Sequence, residues 1–286
     1  MLRRFGPSLL LRVYFETADG GYYSPMFEDC FEALPVPEFL GRLTKVDYAL
    51  NFTYDKVPSR CGSGGLGKYI PTDYLLVGGS SYPVSKVIAH YDPRLDIGVY
   101  SDYWRSAGGR IPKALRCEGK DTFLFFAAGL AKYPPKFFNS KHGFTEIRRV
   151  FMRSNRGIYV VGYMKVDEIA DLTQFSSKIT SSLREGGIEK VWEEAVKAYG
   201  ERVIKTPHYA RPVDLPVVIL SEEGHYGFFR EPIPLIEWVG KKRVLSKYSY
   251  MFGIMGSEDR VRQKVFSDSR TEEIVRTLER DGFLST

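Results

Sequence analysis

Short runs of apolar and β-branched residues, each bounded by Gly, Pro or Ser, fill the first half of the chain and predict strands. Leu9 to Phe15, Tyr74 to Val77 and Val87 to His90 are of this kind, joined by long, Pro-rich loops. The middle carries the two clearest runs, Thr122 to Phe126 and Ile158 to Val166, each long enough to lie centrally in a sheet. Thr145 to Phe151, between them, reads as a hairpin partner. Helical periodicity comes late. Ile188, Val191, Trp192, Ala195, Val196 and Tyr199 recur at three-to-four spacing, with Gly200 in the stop position. Ser257 can cap a helix running to about Phe266, with Glu258 and Asp259 in the first turn, where the helix dipole favours them. A last amphipathic helix begins at Thr271 and passes through Ile274, Val275 and Leu278 to Gly282. Strand Val217 to Leu220 separates the helical parts. The pattern predicts an α+β fold, a curved and mostly antiparallel sheet with peripheral and C-terminal helices. Residues 1–240 are expected to form one domain, and 241–286 a helical extension packed on it.

Composition narrows the class. With 286 residues, 43% hydrophobic and 27% charged, the chain has ordinary globular values that exclude disorder and fibrous repeats. No run approaches the roughly 18 apolar residues of a membrane span. Leu9 to Leu11 after two arginines resembles a signal-peptide start, but Pro7 and Arg12 interrupt the region, so it reads as the first strand. Cys30, Cys61 and Cys117 are too few and too far apart for a disulfide framework or a zinc knuckle, so a reducing, cytoplasmic setting is expected. Asn is confined to Asn51, Asn139 and Asn155, and Gln to Gln174 and Gln263, a bias of proteins from hot environments that points to a thermophilic prokaryote.

Charge adds a class of partner. The formal net charge is +6 and the pI about 9.0, which attracts polyanions where the cations cluster. Lys136 to Arg156 and Lys241 to Tyr250 are locally basic with aromatics interleaved, the composition that binds phosphates and stacks bases; a plain solvated surface has it too. No pattern names a cofactor. Gly62 to Lys68 satisfies G-x-x-x-x-G-K, yet Tyr69 stands where a phosphate-binding loop needs Ser or Thr, and Pro71 forbids the helix that should follow. A flexible surface loop is expected there instead.

Three segments present groups able to do chemistry. His90 and Asp92, two apart at the end of a strand, can meet one ligand together, or Asp92 can orient the imidazole as a base; a simple Asp-Pro turn is the bland alternative. His208, Tyr209 and Arg211 lie in a Pro-flanked loop, and His225 sits between Gly224 and Gly227 in an expected turn. His90, His208 and His225 are not spaced as on a shared helix or knuckle, so no metal centre is expected.

Taken in order, several segments resemble the nucleotide modification associated domain family, third type, a prokaryotic and phage group linked to nucleic-acid base modification. Tyr23 to Asp29 with Leu34 to Pro37 resemble its Ser-Pro-Ile-Phe and Leu-Pro-Ile-Pro, and His90 to Leu95 its His-x-Asp-Pro-x-Leu. Gly119 to Phe126 is similar to its Gly-Asp-x-Phe-Leu-Phe-Phe, departing by the inserted Lys120, and Tyr159 to Ile169 matches a later strand. The Gly-Asp turn and the strand after it also look like the barrel core of PUA-like and EVE-like domains, which fold around one flipped base. These resemblances imply a nucleic-acid base-modifying enzyme or accessory, with DNA or RNA as partner and an aromatic, basic-rimmed pocket. The alternative is a non-catalytic reader of modified bases. The expected catalytic residues are His90, Asp92 and His208, and the expected substrate contacts Ser24, Phe27, Glu28, Tyr91, Asp121, Tyr209, Arg211 and His225.

Overall fold

The two runs in the middle of the chain form neighbouring long strands at the centre of the main sheet, each with side chains covered on both faces. The structure, a computed structural model, describes residues 3–102, 115, 119–134, 136–174, 187–211, 215–240, 242–255 and 263–284. Its strands are β1 (Phe5–Arg12), β2 (Ser24–Pro25), β3 (Pro37–Phe39), β4 (Tyr74–Val77), β5 (Ser80–Pro83), β6 (Val87–Ala89) and β7 (Val99–Asp102). Then follow β8 (Asp121–Ala131), β9 (Arg156–Lys165), β10 (Glu168–Asp171), β11 (Val217–Leu220), β12 (Tyr226–Val239), β13 (Lys242–Leu245) and β14 (Lys264–Phe266).

The main sheet runs β13-β12-β9-β8-β1-β14, with β2 added beside β8. Only the pairings of β8 with β1 and β2 are parallel; the others are antiparallel. Register shifts between Phe126 and Ala127 and along β12 add twist to the long strands. The sheet curls into a half-barrel. Alternation along β8 divides the core: Phe123, Phe125 and Ala127 join one buried cluster, whereas Leu124, Phe126, Ala128 and Leu130 join another. A strand apolar at every position is what burial on both faces requires.

The expected α+β class, with its curved and mostly antiparallel sheet, is therefore found. Three local expectations are corrected. Thr145 to Phe151 lies in a helix, Phe144–Arg153, because Phe144, Ile147 and Phe151 recur at helical rather than alternate spacing, and Ile147 and Phe151 are the buried pair. The helix expected to reach Phe266 does not, since Lys264–Phe266 is β14, paired with β1; residues 256–262 lie outside the described residues. The C-terminal part is more than a helical extension: β13 and β14 form both ends of the sheet path, and helix Asp268–Arg280 lies on β1, where Thr271 donates to Ser8 Oγ at 2.8 Å. Among the described residues no helix is long and apolar enough to cross a membrane.

The cysteine expectation is corrected as well. Cys30 and Cys61 form a disulfide with Cα atoms 5.8 Å apart. The carboxylate of Glu32 brings the two loops together, accepting from Ser59 Oγ at 2.5 Å, Arg60 N at 3.1 Å and Cys61 N at 2.8 Å. Spacing along the chain carries no sign of that fold-back, and Cys117 lies outside the described residues.

Asp121 opens β8 as an ion-pair node, bonded to Arg3 and lying 3.0 Å from Lys165 Nζ, so it ties β8 to the residues before β1 and to β9. Burial opposes its charge, but these two cations hold the carboxyl below the usual carboxylate range. A depressed folded-state pKa adds stability that is present above the unfolded value, about 3.9, and lost as pH falls through the folded value.

Two outcomes follow for urea unfolding. Phe126→Ala is expected to cost about 3–5 kcal/mol, because a fully buried ring is lost between packed faces. Asp121→Asn is expected to cost about 1 kcal/mol at neutral pH, the scale of partly exposed pairs, with the difference closing as pH falls below the unfolded value of about 3.9 and through the lower folded value.

Candidate functional site

The short antiparallel pair β3/β6 begins the site. Pro37 lies opposite Ala89 and Glu38 opposite Ile88, and His90 N donates to Val36 O at 2.8 Å, extending the ladder by one residue. In that register Glu38 and His90 are diagonal neighbours on one face. Glu38 Oε2 accepts from His90 Nδ1 at 2.9 Å, and its other oxygen accepts from Arg211 Nε at 2.7 Å. Both partners come from segments far away in the chain.

Arg211 and His208 are delivered by the 3-10 turn Pro207–Ala210. Thr206 caps it, its hydroxyl accepting from His208 N at 3.2 Å, while Ala210 O accepts from Thr44 N at 2.9 Å. The His208 side chain turns inward, 3% exposed, and its Nε2 lies 3.0 Å from His90 Nε2. Arg211 points outward, its side chain 30% exposed.

Asp92 lies beneath the two imidazoles. Both its oxygens accept from Ser101 N at 3.0 Å. Oδ2 also accepts from Ser101 Oγ and, at 3.3 Å, from Thr206 Oγ1. His208 Nε2 is 4.0 Å from Asp92 Oδ2, and the donor atoms of His90, Asp92 and His208 all fall within 4.8 Å of one another.

The environments of these groups differ. Burial lifts Asp92 to about 7, against the pull of His90 and the Ser101 hydrogen bonds. Burial also disfavours a charged Glu38, but His90 and Arg211 outweigh it and hold that carboxyl at about 2. Burial, then the charges of His90 and Arg211, keep the His208 imidazole well below its usual range and so neutral.

The expected catalytic residues His90, Asp92 and His208 thus come together, with Arg211 and the sequence neighbours Tyr91 and Tyr209. The two tyrosines serve packing: Arg94 stands 4.7 Å over the Tyr91 ring, and Tyr209 sits between Lys45, Tyr48 and Trp192. Other expected contacts are built in elsewhere. Ser24 is fully buried and accepts from Leu34 N at 3.0 Å. Asp121 is the ion-pair node of β8. His225 Nδ1 pairs with Asp167 at 2.8 Å in the turn before β12, where Glu222 completes an exposed cluster.

Phe27 and Glu28 line a separate cavity of about 740 Å³ with Tyr69, Tyr133, Phe138 and the Cys30–Cys61 disulfide, and Lys132 and Lys136 stand at it. Neither His90 nor His208 touches it. The Gly62 to Lys68 segment is tied down rather than flexible: Leu66 N donates to Val57 O and Gly67 N to Tyr54 O, both at 2.9 Å. Gly65 and Gly67 answer to crowding, since a Cβ would stand 2.0 Å from Asp55 O at the first and 1.8 Å from Asp55 Oδ1 at the second, whereas Gly64 is required by its positive φ.

Sequence reading missed Glu38, Ser101 and Thr206. A sign of Glu38 was available, a lone carboxylate inside the otherwise apolar run Leu34 to Leu40. Ser101 and Thr206 carry no such sign, being ordinary hydroxyls until the fold buries them.

Comparison with known proteins gives a family. No curated protein and no solved structure matches the chain. Residues 8–253 match the family described as nucleotide modification associated domain 3, a span that contains every residue of the His90 centre and of the aromatic cavity. The chain belongs to the nucleotide modification associated domain 3 family.

Proposed function

We propose that this protein modifies bases of a nucleic acid, or assists directly in doing so, with the reaction centred on His90, Asp92 and His208. The observation that carries this reading is their convergence. Residues from the end of β6 and from a turn more than a hundred positions later meet around a buried carboxylate, with one imidazole left at the surface. Glu38 sets the orientation of that imidazole by accepting from Nδ1, which leaves Nε2 directed inward. Arg211, half-exposed beside it, offers a guanidinium to a phosphate of the substrate strand. Exposed Arg148, Arg149 and Arg153 on helix Phe144–Arg153 would add unspecific attraction to the polyanion.

One feature favours the alternative of a non-catalytic reader. The cavity beside Phe27 has ring walls and two lysines and a volume within the range of small-molecule sites, but no imidazole lines it.

The test is mass analysis of nucleosides from host DNA and RNA with the gene intact, deleted and restored. Deletion is expected to remove one modified nucleoside, which the wild-type gene restores and His90→Ala does not. Restoration by His90→Ala but not by Phe27→Ala with Lys136→Ala moves the reaction from the His90 centre to the aromatic cavity. An unchanged nucleoside inventory after deletion rejects base modification and leaves the reader, which must then bind nucleic acid carrying a modified base more tightly than unmodified nucleic acid and lose that preference in Phe27→Ala with Lys136→Ala.

A further inference from the structure

We infer that His90, Asp92 and His208 form a binding site for one divalent transition-metal ion, a two-histidine, one-carboxylate centre with open coordination positions. The inference deepens the functional reading above and rests on its placing the reactive centre at these residues, but its test reads no nucleosides.

The argument begins with the facing nitrogens. Nε2 of His90 and Nε2 of His208 are 3.0 Å apart, about the separation of two imidazoles bound side by side to one ion at bond lengths near 2.1 Å. Without an ion, two ring nitrogens pointed at each other make one hydrogen bond at most, and His208 is held in this position with 3% of its surface exposed. Asp92 Oδ2 supplies the third donor at 4.0 Å from His208 Nε2, so the three atoms form a small triangle that an ion would draw together.

The partners behind these donors fit the same reading. A metal-bound histidine usually donates its other ring N–H to a carboxylate, which fixes the tautomer, and Glu38 does this for His90 at 2.9 Å. A ligating carboxylate is usually hydrogen-bonded in turn, and Ser101 and Thr206 do this for Asp92. Arg211 does not oppose the ion with a free charge, because Glu38 accepts from it at 2.7 Å. The remaining charges, one carboxylate and a dication, leave the centre positive and suited to water, hydroxide or a phosphate oxygen. His90, with its side chain 15% exposed, lies on the side from which such a ligand enters.

Donor type selects the ion. Two imidazoles and one carboxylate suit Zn(II), Fe(II) or Co(II), whereas Mg(II) and Ca(II) prefer oxygen alone. The second group of similar residues, Asp167, Glu222 and His225, lacks this construction. Its carboxylate Asp167 already caps the turn by accepting from Glu222 N at 2.7 Å, and the cluster is exposed.

The experiment uses the full chain stripped with chelator, then dialysed against Zn(II), Co(II), Fe(II) under anaerobic conditions, or Mg(II), with metal content measured per chain and Co(II) followed by its visible absorption. One equivalent of Zn(II) or Co(II) is expected, and none of Mg(II). His90→Ala and Asp92→Asn are expected to lose it, Glu38→Gln to keep one site at ten- to a hundredfold weaker affinity, and His225→Ala to bind as wild type. A cooperative melt certifies each variant, and His90→Gln replaces His90→Ala if the latter does not fold. Less than a tenth of an equivalent in the wild type, or full binding retained by the folded His90 and Asp92 variants, overturns the inference. If metal is absent while deletion still removes a nucleoside, this inference alone falls. If metal binds and nucleosides are unchanged, only the functional reading falls.

Discussion

A carboxylate withdrawn from water must be met by donors on every side, and Asp92 is the place where this constraint shapes the molecule. Burying an unpartnered carboxyl costs several kcal/mol, of the order of the whole stability of a domain. Here the Ser101 amide and hydroxyl and the Thr206 hydroxyl answer it, so the residues after β6, the strand β7 and the turn Pro207–Ala210 are held at one point. Thr206 in turn anchors His208 N, which aims the second imidazole at the first. The anchor reaches the main sheet as well: Tyr100, next to Ser101, packs edge-on against Phe126 in β8 with ring centroids 5.4 Å apart. The rigidity of the doubly covered sheet is thereby passed to the histidines.

Around that anchor the charges are arranged in two layers. Glu38 and Arg211 cancel each other near the surface, and Glu38 spends its second oxygen on orienting His90. Beneath them, Asp92 faces two imidazoles and takes its hydrogen bonds from Ser101 and Thr206, which carry no charge. A single carboxylate at Glu38 therefore does two jobs that a neutral amide could not combine, neutralising the guanidinium and setting a tautomer. This separation explains how the lower layer keeps its polar atoms directed at each other rather than at Arg211.

How much of this was legible in the sequence follows from the range of each signal. Strands β4, β6, β8, β9 and β11 were readable because burial on one or both faces writes itself into consecutive residues. Helix Phe144–Arg153 was misread because β-branched Ile147 and Val150 suggest a strand, whereas Phe144, Ile147 and Phe151 recur at helical spacing, with Phe151 packed against Tyr23 and Ala131. His90, Asp92 and His208 could be named from their local setting, a strand end and a Pro-flanked turn. Their meeting could not, because it depends on Ser101 and Thr206, whose hydroxyls look the same in a loop as in a core. Asp121 failed in the opposite direction: its Gly-Asp turn looked functional, whereas Arg3, remote in sequence, makes it structural.

The aromatic residues beside the centre are engaged in packing. Among the described residues next to the histidines in sequence, the Tyr91 ring carries Arg94 and the Tyr209 ring meets Lys45, Tyr48 and Trp192. Rings that do line open space, Phe27, Tyr69 and Phe138, stand at the cavity by the disulfide, which neither histidine touches. Among the described residues, the rings that line this cavity and the two histidines therefore stand apart rather than enclosing one hollow.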